Sequence, residues 1–123
     1  MLLGVVWSMV RLKIAVPTKA YAGLEDVISD VFGKTKTFTI VEVENGQIRN
    51  VRVIDNPATS YEYGSGPVVV KMLADLKINY VLATELGPGV SGLLEHHHIR
   101  KVLVKPNTKV SDAVKEVLIK LEV

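Results

Sequence analysis

The dipeptide Asn45-Gly46 limits the fold more than any other feature of this chain. It separates residues 37–44, rich in Thr, Val, Ile and Phe, from a second run over residues 48–55 of the same character. Asn and Gly both tolerate the positive φ that a two-residue type I′ turn demands, and that turn has the twist paired strands need. The pattern predicts an antiparallel hairpin, which Asn56-Pro57 closes. Upstream, Lys13-Ile14-Ala15-Val16 reads as a first strand that Pro17 should stop, because proline cannot donate to a central ladder.

Beyond residue 66 the pattern becomes helical and extended in turn. Pro67 suits a first helical turn, and Val69, Met72, Leu73 and Leu76 recur on one helical face. Residues 80–83 form a compact buried strand, and Gly87-Pro88-Gly89 opens a helix with Val90, Leu93 and Leu94 as its apolar stripe. Residues 101–104 are the last strand. Val110, Ala113, Val114, Val117, Leu118 and Leu121 mark a closing amphipathic helix. The order β-β-β-α-β-α-β-α predicts an α/β fold on a five-stranded mixed sheet, antiparallel first and then parallel through right-handed crossovers.

A length of 123 residues with 48% hydrophobic side chains supports one core and not two. Residues 12–123 are expected to form a single domain. Residues 1–11 read as a leader with an alternative start at Met9, since Arg11 and Lys13 follow the apolar run instead of preceding it as in a signal peptide; a short added strand or an interface patch stays open. That run is too short to span a bilayer, and the expected location is cytoplasmic. The chain has no cysteine, which removes thiolate catalysis and Cys-ligated zinc or iron–sulfur chemistry. A net charge of +2 is far below the density of a nucleic-acid binder.

In this topology the carboxyl ends of strands 1, 3, 4 and 5 share one rim, where open α/β sheets bind ligands. Residues 17–23, 55–66, 84–89 and 105–107 fall there, with residues 34–36 leading into strand 2. Gly64-Ser65-Gly66 and Gly87-Pro88-Gly89 each precede a helix, whose free N–H groups and dipole favour an anion that glycine lets approach closely. The same residues equally suit plain helix starts, because the full phosphate-loop and dinucleotide fingerprints are absent. Lys19, Lys34, Lys36 and Lys105 make the rim locally positive, with Glu85 the nearest acid.

Glu95-His96-His97-His98 invites a metal reading, yet successive helical residues point about 100° apart, so three adjacent histidines cannot converge on one ion. Capping the end of the second helix is the expected role, with His97 packed partly against the sheet. Hydrolase and nuclease signatures are missing: there is no Gly-x-Ser-x-Gly elbow, and strand 1 ends in Pro17-Thr18 where a metal-dependent nuclease places aspartate. Binding without catalysis is the expected class.

Lys13-Ile14-Ala15-Val16-Pro17, Phe32-Gly33-Lys34, Asp55-Asn56-Pro57, Gly64-Ser65-Gly66, Leu73-Ala74 and Gly87-Pro88-Gly89, in this order and spacing, resemble the dinitrogenase iron-molybdenum cofactor biosynthesis family from Lys13 to about Val123. The resemblance implies a three-layer α/β/α, ribonuclease H-like fold and a small carrier that holds an iron–sulfur or iron-molybdenum cluster, or its precursor, as an anion. It implies cluster-assembly proteins as partners, no membrane or nucleic acid, and a monomer or weak homo-oligomer. The pocket frame it suggests is Phe32, Gly33, Lys34, Asn56, Gly64, Gly66, Gly87 and Gly89, with no metal ligand assigned. This chain departs from the family in carrying Val31 at a position where many relatives have His, and Tyr61 and Tyr63 in a loop where relatives often do. A regulatory or interaction module, or a ribonuclease H-like nuclease, are the alternative readings.

Overall fold

Asn45 and Gly46 take φ of 56° and 75°, the pair of positive angles a type I′ hairpin requires. The turn joins β2 (Thr37–Glu44) to β3 (Gln47–Asp55), with Glu44 facing Gln47 across it. A computed structural model describes residues 11–122. Residues 1–10, nearly all of the expected leader, lie outside them, and Arg11 is the first residue of β1 (Arg11–Thr18).

β1 runs antiparallel to β2 from Arg11 opposite Glu44 to Thr18 opposite Thr37. β4 (Tyr80–Ala83) lies parallel to β1, and β5 (Arg100–Leu103) parallel to β4. The sheet order is β3-β2-β1-β4-β5; α1 (Ser65–Asp75) connects β3 to β4, α2 (Pro88–His96) connects β4 to β5, and α3 (Val110–Glu122) follows β5. The fold is therefore the expected mixed five-stranded α/β sheet with three helices.

Alternation along the central strand assigns the layers, because successive strand side chains point to opposite faces. Ala15 joins Phe38, Ile40, Val81 and Ala83 on the face covered by Val69, Val70 and Leu73 of α1 and Leu94 of α2. Ile14 and Val16 join Val41, Val43 and Leu82 under Val110, Ala113, Val114 and Val117 of α3. All of these side chains are buried. Burying both faces of β1 and β4 explains why their sequences are unbroken apolar runs.

Two expectations are corrected. Pro17 does not end β1; it pairs with Phe38, and the strand continues to Thr18. The backbone groups of Lys13 face β4, since its carbonyl accepts from Asn79 N, and Pro17, four residues on, faces the same way. Pairing to β4 stops at Ala15, so the missing proline N–H leaves no ladder bond unmade, while the Pro17 carbonyl accepts from Ser29 N at 2.8 Å. His97 does not pack against the sheet but is exposed. The helix ends at His96, and His98 turns left-handed at φ 59°. That turn breaks the periodicity and gives the next buried position to Ile99.

Candidate functional site

β1 leads to β2 on one side and β4 leads to β5 on the other, so strand order reverses between β1 and β4. Ligands in open α/β sheets bind outside the carboxyl ends at such a point. Four loops leave the sheet on that rim: residues 19–36 after β1, 56–64 after β3, 84–87 after β4 and 104–109 after β5.

Asn56 straps the first of these loops to the second. It is 4% exposed, and its Nδ2 donates to the carbonyls of Gly33 and Thr35, each at 2.9 Å. Its Oδ1 accepts from Ala58 N at 2.9 Å, and its own backbone N–H reaches the Lys36 carbonyl. The carboxamide is thereby engaged inside the protein. Phe32 likewise points inward, edge-on to Phe38 with ring centroids 5.4 Å apart, and forms part of the core under α1.

Close backbone approach then links the loops to both helices. A methyl group at Gly33 would stand 2.7 Å from Ser65 Oγ and 3.3 Å from Gly66 N. One at Gly66 would stand 2.9 Å from Val90 Cγ2 in the first turn of α2. A side chain at either place would force a neighbour to move, so glycine lets the elements approach this closely. The first turn of α1 is thus covered in part by the chain itself, at Gly33. By contrast, nothing lies within 4 Å of where a side chain would begin at Gly64, Gly87 or Gly89. The amino terminus of α2, with Pro88 in its first turn, presents open backbone. Lys34 is exposed beside Gly33, and Val31, Tyr61 and Tyr63 are exposed on the adjoining loops, Tyr63 most of all at 84%.

The remaining lysines are placed differently. Lys19 Nζ lies 3.4 Å from Asn107 Oδ1, on the side of the rim where α3 begins, and Lys105 is exposed. Lys36 Nζ lies 5.5 Å from the centroid of the Tyr21 ring. The Tyr21 hydroxyl donates to Asp55 Oδ1. That hydrogen bond, aided by burial and by the carboxylate charge, raises the Tyr21 pKa above the ordinary tyrosine value.

Two features of this rim are not readable from the sequence. Asp26, 6% exposed, accepts backbone N–H groups from Ala20, Ala22 and Val27, which folds residues 20–27 around one carboxylate. The hydroxyls of Thr18, Thr37 and Thr39, all fully buried, meet at 2.6 and 3.0 Å. Threonine is an ordinary strand residue, so only the register reveals the cluster; an aspartate just before an apolar residue is the sole hint of the first.

Among the described residues, two hollows lie on the far rim. One, of about 570 Å³, is lined by Glu95, His98, Ile99, Arg100 and Lys101; the other, of about 610 Å³, includes Arg11, Lys13, Glu42, Glu44 and Arg49. Arg11 and Arg49 both pair with Glu44 there. Among the described residues no three acidic or histidine side chains stand together as a metal site, and no helix is long and apolar enough to cross a membrane.

Residues 10–120 match the family model described as dinitrogenase iron-molybdenum cofactor. The chain belongs to this family. An uncharacterized protein of Methanocaldococcus jannaschii is 34% identical over 61 residues, which are 50% of this chain and 52% of that protein; the match spans about half the length of the relative. Among solved structures, the apo form of the orange protein from Desulfovibrio gigas superposes with a TM-score of 0.80 over 91% of each chain at 22% identity. A NifB-like Thermotoga protein of the DUF35 family gives 0.70 over 86% of each chain at 24% identity. These likenesses establish the fold that the family members share.

Proposed function

We propose that this protein is a non-enzymatic carrier for an anionic iron–sulfur or iron-molybdenum cluster, or a precursor of one. The observation that carries the reading is the meeting of residues 30–34, 56–66 and 84–90 at the β1/β4 switch point, with the backbone of Gly87 and Gly89 open above it. Membership of a family described by the iron-molybdenum cofactor supports that class of cargo. So does the likeness to the orange protein, whose structure is of an apo form.

The residues available suit such a cargo in one particular way. The chain has no cysteine, and its three histidines lie at the far end of α2, His96 as its last residue and the others just after it. What the site offers an anion is the N–H groups of the first turn of α2 and the Lys34 ammonium, so the cargo keeps its own metal ligands and is held through its outer atoms. Asn56 and Phe32 serve this site by shaping the loop, while Gly33 and Gly66 let the elements close. Cluster-assembly proteins are the expected donors and acceptors of the cargo.

Anaerobic titration with a synthetic thiolate-ligated [4Fe–4S] dianion, followed by gel filtration and visible absorbance, tests the proposal. The expected result is cluster absorbance coeluting with protein near one equivalent and lost in Gly87→Glu, which places a carboxylate at the open helix start. Absorbance that elutes wholly apart from the wild-type protein refutes the carrier reading.

A further inference from the structure

Asp55 stands opposite Thr37 at the end of the β2–β3 ladder, one residue from Lys36, where an aspartate and a lysine commonly form an ion pair. Here they do not: among the described residues the ion pairs are Arg11–Glu44, Arg49–Glu44, Lys71–Asp75 and Lys109–Glu25. Asp55 instead accepts the Tyr21 hydroxyl, and the Lys36 ammonium sits over the face of the same ring. One phenol therefore occupies both groups, its O–H on the carboxylate and its π face on the cation. The Lys36 carbonyl is held by Asn56 N, which fixes this residue to the strap that positions Gly33 and Thr35.

We infer that Tyr21 is a positioning residue that keeps the Lys36 charge available to an anion at the rim, by holding the Asp55 carboxylate on its hydroxyl while the Lys36 ammonium lies over its ring. The inference rests on the carrier reading and adds to it a charged contact and the one side chain, Tyr21, that keeps it from being neutralised by Asp55. Tyr21→Phe keeps the ring but frees the carboxylate, which then pairs with Lys36. A surface ion pair of this kind changes affinity by about two- to fivefold.

The test combines binding of the same [4Fe–4S] dianion with competitive amine labelling of Lys36 read by mass spectrometry, which needs no cargo. In Tyr21→Phe, cluster affinity should fall by about two- to fivefold and Lys36 labelling should slow. Adding Asp55→Asn to that variant should restore both, and in a Lys36→Gln background Tyr21→Phe should have no further effect on affinity. A purely structural role for Tyr21 predicts no restoration by Asp55→Asn. Labelling of Lys36 unchanged by Tyr21→Phe, or a double variant as weak as the single one, overturns the inference. Wild-type protein that takes up no cluster, while Lys36 labelling responds as described, refutes the cargo and leaves the electrostatic arrangement standing.

Discussion

Replacing Asn56 by alanine removes three hydrogen bonds at once: those from Nδ2 to Gly33 O and Thr35 O, and that from Ala58 N to Oδ1. Each is a neutral bond worth about 1 kcal/mol net, and the residue is 4% exposed, so the partners lose their hydrogen bonds in a site largely shut from solvent. The expected loss is about 3 kcal/mol, a large share of the roughly 5–15 kcal/mol that stabilises a domain. For a chain of this length that lowers Tm by about 12 °C, at about 4 °C per kcal/mol. Urea unfolding of wild type and variant should show a lower midpoint at an unchanged slope. Asn56→Asp sharpens the test, because it keeps the acceptor for Ala58 N but sets a carboxylate against two carbonyls. Its deficit should be at least as large at neutral pH and should shrink as the carboxylate protonates and regains one donor. A loss under about 1 kcal/mol in Asn56→Ala would refute the claim that this side chain straps the rim together.

Gly46→Ala places a side chain at φ 75° in the hairpin turn and should cost about 1–2 kcal/mol in urea unfolding, whereas Gly92→Ala, in the body of α2 with open space around it, should cost nothing or gain slightly. Tyr21, one of four tyrosines, has a raised pKa caused first by its hydrogen bond to Asp55. The folded value lies above the unfolded one, so this contact stabilises fully below the ordinary tyrosine range and is lost as pH rises through the folded pKa. Tyrosinate absorbance during alkaline titration should show a late-ionising component that Tyr21→Phe removes and Asp55→Asn moves to lower pH.

The sheet was legible because its signals are local. Asn45-Gly46 fixed one hairpin, and the apolar runs around Ile14 and Val81 announced strands buried on both faces. The helices followed from the spacing of Val69 and Leu73 and of Val110, Ala113, Val114 and Val117. Pro17 misled because its effect depends on which side of the strand its nitrogen faces, and that follows only from pairing partners distant in sequence. At the rim, glycine at residues 33, 66, 87 and 89 looks alike in sequence, yet two of these residues are packed against neighbouring elements and two are open. Asn56 showed a similar limit: a polar residue in a loop after a strand reads as a ligand contact, and only its burial and three bonds reveal a strap. His97 obeyed the helical spacing until His98 reversed its φ, which no periodicity anticipates.

Gly33 beside Ser65 and Gly66, and Gly66 beside Val90, bring three elements far apart in sequence too close together for a methyl group between them. Bulk added at residue 33 would press on the start of α1, and bulk added at residue 66 on the first turn of α2. The spacing of the long loop after β1, of α1 and of α2 is therefore set by two side chains that are missing.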